Sequence, residues 1–324
     1  MLRVAIVGLG RWAARLVDSV QGSGRIRFVT GVTRDPAGRQ AFAAKTGMAL
    51  SASYAEVLRD PGIDAVVLAT PHSQHHRQIT EAAAAGKHVF VEKPFTLTRA
   101  TAESAVAACR AAGVTLALGF NRRYSPAFVE LARRVRADEI GEVLHIEGQA
   151  SGGSGLQVKP GSWRGARAET PGGAMTARGV HALDAMIQIG GLVSSVYAFS
   201  GRRMVSAEID DTTSMLLRFS SGITGYLGTL HATGEFWRIH VFGSKGWLEM
   251  RGDTELIARG MGMESAPQRT TLEAIDRERA ELEAFADAVS AGQRFMVPPE
   301  EIVNGVAVLE AIIASAASGS PVQV

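Results

Sequence analysis

With one cysteine in 324 residues, Cys109, the chain can close no internal disulfide. That thiol sits in an Ala-rich stretch, residues 100–112, where a buried helical cysteine is the ordinary reading. Net charge is almost absent as well, since 34 Lys and Arg against 32 Asp and Glu leave +2. The basic pairs Arg122-Arg123, Arg133-Arg134 and Arg202-Arg203 are scattered rather than gathered, which argues against a nucleic-acid partner. No apolar run reads as a membrane span, because stretches such as residues 180–197 are broken by Asp184, Gln188 and glycines. The opening MLRVAIVGLG enters a strand-like segment without the charged leader and cleavage site of a signal peptide, so a cytoplasmic location is expected. Internal repeats and low-complexity tracts are lacking. His72, His75, His76 and His88 have no Cys or carboxylate cluster beside them, and no metal is expected.

What the chain does have is apolar bulk. At 46% hydrophobic residues it can bury a large core, and its length suggests two domains. In the first third, short β-branched runs at 4–7, 26–32, 65–69, 88–91 and 115–118 alternate with helical patterns at 11–21, 36–46, 54–59, 73–85 and 99–112. That alternation predicts an α/β, doubly wound Rossmann domain over residues 1–120. Beyond it the pattern predicts a helix at 125–136, an extended stretch from Val143, a Gly-rich loop at 152–173 and a helix at 174–189. Strands are expected at 196–200, 212–219, 224–231, 237–242 and 247–250, with turns at Ser221-Gly222 and Ser244-Lys245-Gly246. Residues 121–324 therefore read as an α+β domain with a large, mainly antiparallel open sheet. Helices at 280–291 and 300–316 complete it, the C-terminal one with the option of packing back on the Rossmann domain.

The segment VAIVGLGRWAARL places Gly8, Leu9 and Gly10 directly after the first strand, and Arg11, Trp12 and Ala13 open the next helix. Gly8 permits a tight turn, Gly10 lets the backbone approach a pyrophosphate, and Ala13 keeps helix and strand close. Dinucleotide binding is the reading favoured over a merely structural turn. After the second strand the chain reads Val32-Thr33-Arg34-Asp35. The Thr33 hydroxyl and Arg34 guanidinium suit the 2'-phosphate of NADP, with Asp35 ahead of Pro36 capping the next helix. The alternative makes Arg34 a solvated turn residue, gives the ribose to Asp35 and favours NAD.

Further along come ATPHSQH, AGKHVFVEKP, GFNRRYSP, SWRG, GGAMTARGVHALD and FGSKGWLEM. In order and spacing these resemble the glucose-fructose oxidoreductase, inositol dehydrogenase and rhizopine catabolism family over nearly the whole chain, the EKP tripeptide being the most specific element. The resemblance implies that Lys93 lies beside the nicotinamide and contacts the substrate oxygen, where an ammonium stabilises a developing alkoxide. The bland alternative is an ion pair of Lys93 with Glu92. By the same resemblance Thr70, Pro71, His75, Glu92 and Pro94 border the cofactor, and His181 exchanges a proton with the substrate. His181 also reads as a substrate-binding or core histidine. Where the family often carries Asp, four residues before the histidine, this chain has Ala177, and Asp184 stands in reach to orient His181 from the other side. Asn121, Arg122 and Tyr124 follow the last Rossmann strand at its carboxyl edge, so Asn121 and Arg122 are candidate cofactor or substrate contacts. Trp163 and Arg164 resemble an element that folds over the cofactor, with a simple loop anchor as the alternative.

The function implied is an NAD(P)-dependent dehydrogenase or reductase of a secondary alcohol or carbonyl in a sugar, polyol or related molecule. A dihydrodiol or a linear tetrapyrrole remains an option as substrate. The competing class is a dinucleotide-binding sensor without turnover, prompted by Ala177. Family members commonly pair through the open sheet of the second domain, so a homodimer or homotetramer is expected.

Overall fold

Leu2–Val7 buries every side chain but that of Arg3, the signature of a central parallel strand covered on both faces. The structure, a computed structural model describing residues 1–324, builds its first unit on this strand, β1. The other strands of the unit are β2 Ile26–Val32, β3 Ala49–Ser51, β4 Ala65–Leu68, β5 His88–Glu92 and β6 Leu116–Gly119. Helices α1 Arg11–Ser19, α2 Gln40–Thr46, α3 Tyr54–Arg59, α4 His75–Ala84 and α5 Arg99–Ala111 alternate with them. All six strands are parallel in the order β3-β2-β1-β4-β5-β6, the doubly wound arrangement the sequence predicts. Ile6, Val67 and Val91 are fully buried, and each such side chain contributes about 1.5–3 kcal/mol. Helix α1 covers the sheet with Ala13, Leu16 and Val17, the i, i+3, i+4 stripe of an amphipathic helix.

This unit comprises residues 1–96, 100–121 and 276–302. The last segment differs from the domain division expected from sequence, which ran a single boundary near residue 120. Its main element, α8 Arg277–Ala291, follows β14 in the chain and returns to α1. Arg15 meets Glu278 at 2.8 Å, Ser23 meets Glu283 at 2.8 Å, and Arg25 meets Asp287 at 2.8 Å. Phe285 packs edge-on against Phe90 with ring centroids 5.7 Å apart. Asp276 caps α8 by accepting from the Arg279 N–H, and Gly292 ends it in the left-handed conformation.

The second unit, residues 97–99, 122–275 and 303–324, contains one nine-stranded sheet. Its elements are α6 Pro126–Arg136, β7 Val143–Ser151, α7 Val180–Gly190, β8 Val193–Gly201, β9 Thr212–Phe219, β10 Thr224–Leu230, β11 Phe236–Gly243, β12 Gly246–Arg251, β13 Glu255–Gly260, β14 Gln268–Thr271, α9 Pro299–Ser318 and β15 Val322–Gln323. The order is β14-β13-β12-β11-β7-β10-β9-β8-β15, antiparallel except for the β7·β10 pair. Helix α7 lies close on the sheet because Gly148 and Gly225 leave room for Met186; a Cβ on either would come within 2.9–3.0 Å of that side chain. Along β9, buried Thr213, Met215, Leu217 and Phe219 alternate with Ser214, Leu216 and Arg218 on the exposed face.

Three strands escaped the sequence reading in this unit: β13, β14 and β15. The helix expected over residues 174–189 is split into a π-helical turn, Met175–Gly179, and α7. Helix α9 has the length and apolarity of a membrane span, yet Ile302, Val306, Val308, Leu309 and Ile312 are buried in the fold. Asn304 and Ser315 of α9 bond the backbone of β8.

Candidate active site

The turn after β1 depends on a residue without a side chain. Gly8 has φ +93°, and a Cβ there would lie 2.8 Å from the Ala69 carbonyl at the end of β4. Leu9 turns its side chain inward against Gly31. Gly10 then stands open, with nothing within 4 Å of an added Cβ, and serves as the N-cap of α1 with no side chain capping the helix. The first turn holds no acidic residue, so its N–H groups and the positive end of the helix dipole remain for an anion. This uncapped, glycine-cleared helix start fits the pyrophosphate of a dinucleotide. Arg11 is exposed beside it and Trp12 half-buried.

After β2, Asp35 uses Oδ1 to accept the Gly38 N–H at 3.0 Å, just ahead of the short helical turn 37–39. Its own N–H donates to Thr33 Oγ1 at 3.2 Å. Arg34 is exposed. One oxygen of the acidic side chain is thus bonded to local backbone; Arg34 and Asp35 are both exposed here, and Thr33 is half-buried.

The loops after β4 and β5 are tied together by a histidine. Fully buried His75 sets Nδ1 3.0 Å from the Pro94 carbonyl and 3.2 Å from that of Phe95, while Nε2 lies 3.1 Å from the Thr70 carbonyl. With no exposed surface the ring cannot touch a ligand. The buried ring joins the Thr70 loop to the Pro94 loop. Thr70 in turn donates to Gln78 at 2.6 Å, and Pro71 precedes the short turn 72–74. The Lys93–Pro94 peptide is cis. Burial pushes the Glu92 carboxyl up to about 7, with the adjacent Lys93 charge pulling the other way. Lys93 itself is half-buried. His76 meets Ser104 at 3.2 Å, and His88 accepts the Thr115 N–H at 2.9 Å.

Asn121 is buried just past β6, and its Nδ2 donates to Glu278 Oε1 at 2.8 Å. The other Glu278 oxygen takes the Arg15 guanidinium. Burial acts upward on this carboxyl, but the Arg15 hydrogen bond and charge outweigh it and hold the group below the usual range. Sequence reasoning missed Glu278. A signal existed: Glu278, Glu281, Leu282 and Phe285 fall on one helical stripe, so two carboxylates occupy buried positions.

In the second unit, half-buried His181 stands in the first turn of α7, directly after the π-helical turn that carries Ala177. Such wide turns recur at functional sites. Glycines admit this one: a Cβ on Gly179 would come within 2.6 Å of the Thr229 methyl. Asp184 is paired with an arginine. Its oxygens take Arg123 Nε at 2.9 Å and Nη2 at 2.6 Å, with the two side chains only 5% and 2% exposed. This buried ion pair fits the reading of Asp184 as a structural carboxylate. Arg122 meets Asp253 at 3.1 Å and stacks 4.0 Å over Trp237. Trp163 and Arg164 form a short helical turn in which the guanidinium lies 4.1 Å over the indole of its neighbour.

A doubly wound sheet with an uncapped glycine turn, followed by a mostly antiparallel nine-stranded sheet, defines a nicotinamide-dependent oxidoreductase of two-unit type. The chain belongs to the GFO/IDH/MocA family: residues 2–120 match its oxidoreductase model with the NAD-binding Rossmann fold, and residues 128–249 match its C-terminal domain. Among its relatives is the scyllo-inositol 2-dehydrogenase (NAD(+)) of Bacillus subtilis, 38% identical over 45% of this chain and 44% of that protein. The D-xylose 1-dehydrogenase (NADP(+)) 2 of Haloferax volcanii is 28% identical over 90% of both. The crystal structure of aldose-aldose oxidoreductase from Caulobacter crescentus complexed with glycerol superposes with a TM-score of 0.89 at 26% identity, covering 100% of this chain and 99% of that one. The protein is an NAD(P)-dependent oxidoreductase acting on CH–OH groups, and the sensor reading gains no support from these relatives.

Proposed function

We propose that the protein is a cytoplasmic dehydrogenase or reductase of a sugar, polyol or related hydroxylated molecule, and that it prefers NADP to NAD. The observation that carries the cofactor reading is the commitment of Asp35 to Gly38 beside an exposed Arg34. A guanidinium offers a two-pronged fork to a 2'-phosphate, whereas a free carboxylate at that place would repel it. The substrate class is supported by relatives named for scyllo-inositol and D-xylose.

The α1 amides with Gly8 and Gly10 hold the pyrophosphate, Thr33 and Arg34 the adenosine end, and Thr70, Pro71, Glu92, Pro94, Asn121, Trp163 and Arg164 the remainder of the cofactor. When bound, the nicotinamide accepts or supplies the hydride. Lys93 places its ammonium on the substrate oxygen and stabilises the charge that grows there as the O–H proton leaves. His181 takes that proton in oxidation and returns it in reduction. With its carboxyl pushed up to about 7, Glu92 carries only part of a negative charge beside Lys93 near neutral pH.

The exposed face of the second sheet brings Tyr197, Leu216 and Tyr226 into direct cross-strand register, with exposed Phe199 two residues from Tyr197. That apolar stripe supports a homodimer or homotetramer. Light scattering at micromolar concentration tests it, a monomer being the contrary result. The enzymatic reading is tested by following cofactor absorbance with a panel of inositols, aldoses and their keto forms. Turnover of at least one, lost by about a thousandfold in Lys93→Ala and His181→Ala, is expected; equal rates in all three proteins would refute the assignment.

A further inference from the structure

The carboxyl ends of β7 and β10, the one parallel pair in the second sheet, stop together at Ser151 and Leu230. The segments that follow hold a polar cluster for which the proton and hydride chemistry has no use. Arg178, in the π-helical turn, donates through Nη1 to Ser154 Oγ at 3.3 Å and through Nη2 to Glu235. Ser154 Oγ lies 3.0 Å from His231 Nε2.

Glycines build this cluster. A Cβ on Gly152 would fall 2.5 Å from both Arg178 Nη1 and Glu235 Oε2, and one on Gly155 would fall 2.7 Å from the His231 ring. The backbone is thus drawn tightly around a guanidinium and an imidazole. Exposure within the cluster is uneven: the Arg178 side chain is 19% exposed and His231 3%, but the Glu235 side chain is 64% exposed. A carboxylate that free in water holds its partner weakly, because solvent competes for it. A ligand carboxylate replaces it with no change of charge at Arg178, and the guanidinium fork accepts either. Arg178 lies three residues before His181, across the junction of the π-helical turn with α7.

We propose that Arg178, Ser154 and His231 form a carboxylate-recognition subsite, so that the substrate is a polyhydroxylated acid of the aldonate or uronate class whose carboxylate displaces Glu235. This rests on the dehydrogenase reading and narrows its substrate. The carboxylate oxygens take the two Arg178 N–H groups, with the Ser154 hydroxyl beside them, and a carbinol of the same molecule is presented toward His181.

The test uses full-length protein saturated with its nicotinamide cofactor and titrated calorimetrically with D-gluconate and D-glucitol, which differ only at one terminal carbon. Gluconate is expected to bind about tenfold or more tighter than glucitol, as a charge-assisted fork requires. Arg178→Met should erase that margin, and Glu235→Gln should tighten gluconate several-fold by removing the internal competitor. Circular dichroism verifies that each variant is folded, and Arg178→Lys, which keeps the charge but not the fork, should retain part of the margin. Equal affinities for the two probes, no gluconate binding at millimolar concentration, or weaker gluconate binding in Glu235→Gln would overturn the subsite. If neutral polyols alone are oxidised, the subsite fails while the dehydrogenase stands; failure of the dehydrogenase appears instead as no cofactor turnover with any probe.

Discussion

Arg123 and Asp184, 61 positions apart in sequence, form a two-pronged ion pair with exposures of 2% and 5%. Removing one partner strands a buried charge, so Asp184→Ala should cost about 3–5 kcal/mol in urea unfolding. Arg123→Met combined with Asp184→Leu should recover most of that loss. A single-variant cost within about 0.5 kcal/mol would mean that the pair is far more hydrated than its burial indicates.

His75→Ala should release the clamp between the Thr70 and Pro94 loops. Loss of a fully buried ring and of its hydrogen bond to the surrounding carbonyl groups predicts about 2–4 kcal/mol of destabilisation, measured by denaturant unfolding. Cofactor affinity should fall with it, because Thr70 abuts Gly8 in the nucleotide turn. Unchanged stability and cofactor binding would remove His75 from the account.

Glu92 gives a pH dependence whose sign is fixed by its burial. Its folded value of about 7 lies above the ordinary 4.5, so the native state binds the proton more tightly than the unfolded chain. Stability from this group is full below about pH 4.5 and is lost as pH rises through 7, by on the order of 3 kcal/mol. Glu92→Gln should flatten that slope in melts taken between pH 5 and 8. A parent whose stability rises across this window while the variant's does not would contradict the assignment.

Glu278→Ala should free both Arg15 and Asn121, at a cost of about 2–3 kcal/mol. If Asn121 serves the cofactor as proposed, the nicotinamide Kd should rise as well. Glu278→Gln, which keeps an acceptor for Asn121, should retain more affinity than Ala. Identical cofactor binding in all three proteins would leave Glu278 a purely structural tie.

Legibility in the sequence followed the physics of each element. Strands covered on both faces read as unbroken apolar runs, and Ala65–Leu68, buried at every position, is plain in the chain. β14, exposed along its whole length, offers no alternation to find, and β3 and β15 are too short for a period to register. The glycine turn was readable because Gly8 and Gly10 act through local backbone. Arg123–Asp184 and Asn121–Glu278 were not, since each joins segments whose meeting is set by tertiary packing. The π-helical turn escaped for a related reason: the local pattern favours a continuous helix, and the close approach of Thr229 to Gly179 joins segments far apart in sequence.

Arg34, beside an Asp35 whose Oδ1 is bonded to the Gly38 N–H, is the residue proposed to select NADP. Titrating the purified protein with NADPH and NADH, followed by nicotinamide fluorescence, tests it most directly with Arg34→Ala alongside. Charge-assisted hydrogen bonds of this kind are worth about 1.5–3 kcal/mol, so the variant should lose roughly ten- to a hundredfold in NADPH affinity and nothing for NADH. Tighter binding of NADH by the parent, with Arg34→Ala indistinguishable from it, would contradict the claim.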